Sequence, residues 1–325
     1  ETSCDETAVS IVKSVRGKRI RFEILSHKIL SQIDLHRQYG GVFPALAKRE
    51  HAKALTQLVA EALDEADLLT ERTNTYHMEM RDKKYLEGLL EREPDMLQAL
   101  SVLFEGIQKP KLDAIAVTAG PGLEPALWVG INGALAMHHM WDIPLYPINH
   151  MEGHIITGLL THTDNLYEIA EPEFPALSLL ISGGHTEFVR IPRLRSYKII
   201  GATKDDAVGE AFDKVAKLLG HPYPGGPVIE KLAQEGNPSA FPYRSGKVKA
   251  NPLDFSFSGL KTAVLYSLKE IPEWTDQVKK DVSASFQRAA FDDIINKVKL
   301  AAKETGCTDI LFGGGVTNSK TLRRL

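Results

Sequence analysis

Apolar and polar positions alternate along Ala8-Val9-Ser10-Ile11-Val12, the pattern of a strand with one buried face, and this strand leaves a polar, acidic turn, Glu1 to Thr7. Gly40-Gly41-Val42-Phe43-Pro44 then breaks the chain, and Ala45 to Leu69, with Lys48, Arg49 and His51, reads as a long amphipathic helix. Leu112 to Thr118 predicts a strand running into Ala119-Gly120-Pro121-Gly122. That turn introduces a helix over Gly130 to Met140, whose Gly130, Gly133, Ala134 and Ala136 allow close packing and whose His138 and His139 read as packing or surface residues. Ile143 to Ile148 predicts a short buried strand, and Ile155 to Leu160 a helix packed on the core. Two stretches interrupt the pattern. Thr70 to Leu86 is polar and charged and reads as a surface insertion; Thr161 to Pro175, acidic and proline-containing, reads as a domain boundary, cutting the chain into 1–165 and 166–325.

The second half restarts with a buried strand, Ala176 to Ile181, the turn Ser182-Gly183-Gly184-His185, and a returning strand, Thr186 to Arg190. Strand, tight polar turn and returning strand repeat the layout of the first residues. Paired glycines let backbone N–H groups approach a phosphate, although most such hairpin turns are only turns. The neighbours strengthen the phosphate reading. Asp205 to Lys214 leads a helix ending at Gly220; Tyr223-Pro224-Gly225-Gly226-Pro227 turns into a helix carrying Glu230; the strand Asp309 to Phe312 runs into Gly313-Gly314-Gly315, with Asn318 and Ser319 at a helix start. Glycine-rich turns at strand ends, each leading into a helix and joined by carboxylates able to hold ribose hydroxyls, are what a nucleotide requires. Phe255 to Thr262 starts another helix with Ser258 as a candidate cap, after a basic loop with Arg244, Lys247 and Lys249.

The stretch Asn149 to His154 carries the most specific chemistry. Asn149 suits a helix N-cap with Glu152 three residues on, and a helix starting there sets His150 and His154 on one face. Two imidazoles at that spacing bind one divalent metal, or are simply two hydrogen-bonded histidines. Asp5 and Glu6, adjacent acids on a tight turn, repel each other and invite a metal or a substrate amine.

Composition narrows the class. The 325 residues suffice for two domains, and no apolar run reaches the roughly 18 residues of a membrane span. Two cysteines make no disulfide framework, which favours a reducing compartment. A formal charge of −3 leaves nucleic-acid binding to local patches such as Lys13, Arg16, Lys18, Arg19 and Arg21 around Gly17. The chain opens on a polar turn with no strand before it and stops in the first turns of a helix, so both ends read as cut.

Taken together, Glu1 to Thr7, Tyr39-Gly40-Gly41-Val42, Gly120-Pro121-Gly122-Leu123, His150 to His154, Ser182 to Thr186, Gly209 to Lys214, Tyr223 to Pro227, Phe257 to Lys261 and Gly313 to Val316 resemble the TsaD family, the threonylcarbamoyl transferases of tRNA modification. The resemblance implies an α/β, actin-like ATPase fold shared with sugar kinases and chaperone ATPases, two duplicated domains around a nucleotide cleft. It implies transfer from threonylcarbamoyl-AMP, made by a separate synthase, to N6 of the adenosine next to the anticodon of tRNAs reading codons that begin with A. By resemblance, His150 and His154 are ligands of a divalent metal, zinc or iron, whose third ligand is an aspartate beyond Leu325. Leu180, Ile181, Ser182, Gly183 and Gly184 hold the phosphate and threonylcarbamoyl end, and Asp213, Gly226, Glu230, Asn318 and Ser319 the adenosine part of the adenylate or of ATP. Asp5 or Glu6 is the expected general base. The Tyr39-Gly40-Gly41 region resembles the bacterial and organellar members, and the two insertions resemble the mitochondrial branch, which implies a homodimer in the matrix; the bacterial cytoplasm is the alternative.

Three other readings compete. A sugar or acid kinase of the same superfamily needs no His pair. A metallopeptidase is disfavoured, because its Glu directly follows the first His whereas Glu152 is two residues on. A nucleotide-dependent scaffold needs no chemistry. Because the net charge is not basic, tRNA affinity carried by patches such as Lys13 to Arg21 is expected to fall steeply with salt in a titration; a salt-insensitive affinity would contradict this.

Overall fold

The structure, a computed structural model, describes residues 1–15, 17, 19–163 and 166–325, with Thr163 described by its backbone alone. Arg16 and Lys18 of the expected basic patch lie outside the described residues. The chain divides into two compact units, Glu1–Gly153 with Leu160–Ile169, and His154–Leu159 with Ala170–Leu325. Where one cut after residue 165 was expected, the chain thus changes unit three times, first within the helix that carries the two histidines.

In the first unit, β1 (Glu6–Val15) and β2 (Arg21–Ser31) form an antiparallel hairpin, followed by α1 (Ile33–Arg37), α2 (Pro44–Glu65), α3 (Met80–Leu89), α4 (Pro94–Gly106), β3 (Ile115–Gly120), α5 (Glu124–Trp141) and β4 (Leu145–Asn149). Helix α6 (His150–Thr157) leads to a second hairpin, β5 (Leu160–Thr163) and β6 (Leu166–Ile169), which extends the first sheet in the order β1-β2-β6-β5; β3 and β4 make a separate parallel pair. Pro44 opens α2 at a position where its missing N–H costs nothing, and Leu55, Val59, Ala62 and Leu63 then form the buried stripe that helical spacing requires. That stripe meets Met96, Leu100 and Phe104 of α4 and Val129 of α5 in one core. A cavity of about 250 Å³ lies between β1 and β3, lined by Val9, Ile11, Val12, Ile115, Val117 and Trp141 among others.

Three expectations need correction here. Thr70 to Leu86 is not purely a surface insertion, because Met78 and Leu86 are buried in this core while the charged residues around them face outward. Ile143 to Ile148 is not a buried strand: β4 begins at Leu145 and pairs only with β3, so Tyr146 and Ile148 stay exposed on its uncovered face. The helix expected to pack through Leu160 ends at Thr157, with Ile155 its only buried residue.

In the second unit, β7 (Ala176–Ile181), β8 (Thr186–Arg193) and β9 (Ser196–Ala202) form an antiparallel meander. Helices α7 (Val208–Leu218), α8 (Gly225–Ala233), α9 (Ser258–Glu270) and α10 (Asp276–Thr305) follow, then β10 (Ile310–Gly313), a 3-10 turn over Gly315–Asn318 and α11 (Lys320–Arg324). The sheet order β10-β7-β8-β9 places β7 inside, parallel to β10, and all six of its residues are buried, as a continuous apolar run predicts. Ser258 is not the cap of α9 but its first residue, and its hydroxyl donates to Asp205 at 2.7 Å. Helix α10 has a side-chain cap, Thr275 Oγ1 accepting from the Val278 N–H at 3.2 Å, and it stops at Gly306 with φ +66°. Its Phe286 is wholly buried, edge-on to Phe212 at 4.9 Å. Phe286→Ala is expected to lower unfolding free energy by about 3–5 kcal/mol through the cavity it leaves, read as a fall in the urea midpoint.

Candidate active site

The acid turn before β1 is pinned by groups far away in sequence. The Leu123 N–H donates to the Ser3 carbonyl at 2.8 Å, and the Thr2 hydroxyl donates to the Ala126 carbonyl at 2.8 Å while accepting from the Gly130 N–H at 3.2 Å. A Cβ on Gly122 would stand 2.8 Å from the Ser3 carbonyl oxygen, and one on Gly130 2.6 Å from Thr2 Oγ1, so both glycines are required by close approach. The Gln32 N–H donates to the Asp5 carbonyl at 2.8 Å. Asp5 is buried, and Glu6 is half-buried beside it. Burial first, and then the adjacent Asp5 charge, pushes the Glu6 carboxyl up to about 7.

His150 belongs to the same turn. Its Nδ1 lies 3.1 Å from the Ser3 hydroxyl and 3.7 Å from the Glu1 carboxylate, which also accepts from the Thr118 hydroxyl. Burial alone would raise the Glu1 carboxyl, but the imidazole of His150 with the Ser3 and Thr118 partners holds it well below the ordinary carboxylate range. Asn149 Oδ1 accepts from the Met151 and Glu152 N–H groups at 2.8 and 3.2 Å, the cap that starts α6. His154 follows one turn later, and a Cβ on Gly313 would meet its carbonyl at 2.6 Å, so β10 abuts this helix at the backbone. Among the described residues no cluster of three or more His, Cys, Asp or Glu side chains forms a metal site. The donor chemistry suits a divalent metal, two imidazoles at a spacing of four on one helix, and the Ser3 hydroxyl engages Nδ1 of the first at 3.1 Å. His138 and His139 do not join them; His138 Nδ1 meets the Ile143 carbonyl at 2.7 Å, and His139 Nε2 meets Asp82 at 2.9 Å.

In the second unit the glycines of the predicted nucleotide loops divide into two kinds. A Cβ on Gly209 would stand 2.6 Å from the Ser182 carbonyl, one on Gly225 2.8 Å from the Asp213 Cα, and one on Gly314, at φ +92°, 2.4 Å from the Ile181 carbonyl. These pack backbone on backbone. Added Cβ atoms on Gly183, Gly184, Gly226 and Gly315 would meet nothing within 4 Å, so these positions open outward. Ser182 Oγ accepts from the Gly184 and His185 N–H groups and shapes the turn. Leu180 and Ile181 point their side chains into the core, so only their backbone can serve a ligand. Asp213 accepts from the Gly225 N–H at 2.7 Å, and Glu230 braces α11, accepting from the Ser319 hydroxyl and the Thr321 N–H at 2.9 Å each; Asn318 is exposed.

One constellation escaped the sequence reading. Thr7, Gln32, His36 and His51, all buried, form a polar network behind the acid turn. The only local signal was the four-residue spacing of Gln32 and His36.

The family model described as "TsaD: tRNA N6-adenosine threonylcarbamoyltransferase" matches residues 23–74 and 96–325. The chain belongs to this family. It is 43% identical over 331 residues to the tRNA N6-adenosine threonylcarbamoyltransferase of Protochlamydia amoebophila, covering all of this chain and 82% of that protein. It is 42% identical over 327 residues to that of Syntrophotalea carbinolica, covering all of this chain and 80% of that protein. Among solved structures, a ROK hexokinase from Thermus thermophilus aligns over 97% of this chain and 84% of its own at 12% identity, with a TM-score of 0.37. The fold is thus the actin-like, sugar-kinase fold of the TsaD family and the protein is a transferase; the kinase alternative is not favoured. The two kinds of glycine predict different losses. Gly209→Ala is expected to lower the melting temperature by several degrees, whereas Gly183→Ala leaves it within about one degree and weakens nucleotide binding, read by thermal shift and by calorimetry.

Proposed function

We propose that this protein transfers the threonylcarbamoyl group from threonylcarbamoyl-AMP to N6 of the adenosine next to the anticodon of tRNAs that read codons beginning with A. The observation that carries the reading is the acid turn: a half-buried Glu6, pushed up to about 7 by burial and by Asp5, is a proton acceptor poised at neutral pH. The N6 lone pair is delocalised into the purine ring. As it bonds to the acyl carbon, the bond from that carbon to the phosphate oxygen breaks, AMP leaves with the electron pair, and the N6 proton passes to the Glu6 carboxylate, with Asp5 setting its basicity.

His150 and His154 would hold one divalent metal, zinc or iron, with Ser3 and Glu1 orienting the first ring. When bound, such an ion supplies Lewis-acid polarisation and orientation of the acyl group. In the second unit the backbone of Leu180 to Gly184 would take the phosphate and threonylcarbamoyl end, with Asp213, Gly226, Glu230, Asn318 and Ser319 around the adenosine. The outward-opening Gly183, Gly184 and Gly226 support that assignment. The donor comes from a separate synthase, and the working unit is a homodimer. Both reported relatives are bacterial, which supports the cytoplasm over the mitochondrial matrix.

Single-turnover transfer from preformed donor tests the base. The wild-type rate is expected to be lost as pH falls through about 7, because protonated Glu6 cannot accept a proton. Glu6→Gln should slow transfer by roughly 10²–10⁴-fold and flatten that profile. Asp5→Asn removes the like charge and should move the inflection to lower pH. Unchanged rates in both variants would remove these carboxylates from the mechanism.

A further inference from the structure

An exposed aromatic pair stands beside the acid turn. After α1, Gly40 at φ +70° and Gly41 at φ +156° fold the chain back, conformations that favour glycine, and Phe43 stacks on Tyr39 with centroids 5.3 Å apart and planes 20° from parallel. Tyr39 is 50% and Phe43 49% exposed, and Leu35 next to them is 44% exposed. Single exposed apolar residues need no explanation, but three on one short loop and helix do.

The loop that carries them is held by the buried network, whose proton positions follow from its partners. His36 Nδ1 accepts from the Phe43 N–H at 3.2 Å, so its proton is on Nε2 and is donated to Gln32 Oε1 at 3.1 Å. The Gln32 amide donates to His51 Nδ1 at 3.2 Å, which puts that ring's proton on Nε2, donated to the Cys4 carbonyl at 2.9 Å. Thr7 Oγ1 lies 2.7 Å from the same Nδ1. Burial pushes both imidazoles down from the ordinary histidine range, which keeps them neutral as these bonds require. The acid turn and the aromatic loop are thus two ends of one buried hydrogen-bonded chain, and a fully satisfied network of this kind is rigid.

We propose that Tyr39 and Phe43 are a stacking platform for an unpaired base of the tRNA anticodon loop, and that Gln32, His36 and His51 are positioning residues that set it against the acid turn. The inference rests on the tRNA reading above. Unpaired bases present apolar π faces that aromatic rings recognise whatever the sequence, and the anticodon loop offers such bases next to the reacting adenosine. Arg37 and Arg49, on α1 and α2 either side of the loop, are paired with Asp34 at 3.0 Å and Glu50 at 3.1 Å, so the platform is argued from its ring faces and not from charge.

The test uses the full chain and an anticodon stem-loop RNA with 2-aminopurine in the loop. Wild type should quench the probe on binding. Tyr39→Ala with Phe43→Ala should abolish the quench and weaken affinity about tenfold or more, at an unchanged salt slope and unchanged affinity for ATP, while Tyr39→Phe stays within about twofold. His36→Asn, which can still accept from Phe43, should keep the quench that His36→Leu loses. Unchanged RNA affinity in the double variant overturns the platform and leaves the functional reading standing. The same result with an altered oligomeric state would assign the pair to a protein contact instead, and no RNA binding by wild type would overturn the functional reading itself.

Discussion

The first unit depends on how its acid turn is held. Two adjacent carboxylates repel, and burial adds to that cost. The turn is fixed through its backbone and its small hydroxyl side chains: the Ser3, Cys4 and Asp5 carbonyls accept from Leu123, His51 and Gln32 in turn, and Thr2 bridges Ala126 and Gly130. These neutral donors anchor the backbone, while burial and the neighbouring Asp5 charge raise the Glu6 carboxyl.

The same logic explains the glycines and small residues around it. Gly122 and Gly130 are small because Ser3 and Thr2 occupy the space a side chain would take, and Gly133 is small because Leu55 of α2 does. In the second unit backbone contact plays the equivalent part. Gly209, Gly225 and Gly314 bring helix starts and strand ends together within van der Waals contact, leaving Gly183 and Gly226 turned outward on a frame that cannot shift.

Much of the frame was legible from local pattern. The β1–β2 hairpin, the fully buried β7, the long α2 and the Asn149 cap follow from periods of two and 3.6 and from turn chemistry, all of which act over a few residues. The misreadings share one cause. Met78 and Leu86 sit in a charged stretch yet are buried, and Tyr146 and Ile148 sit in an apolar run yet are exposed, because burial is decided by which neighbouring layer covers a face. Ser258 looked like a cap until Asp205, 53 residues earlier, claimed its hydroxyl.

From residue order alone came the alternation of elements, the glycine turns, the paired acids and the paired histidines, since each is a feature of neighbours in the chain. Tertiary structure alone decided that Thr7, Gln32, His36 and His51 meet, that Ser3 takes hold of His150 across 147 residues, and that Tyr39 and Phe43 are presented rather than buried. Hydrogen-bond partners so far apart leave no periodic trace. Each polar side chain, read by itself, is equally at home in water, and only the packed interior requires it to find a specific partner.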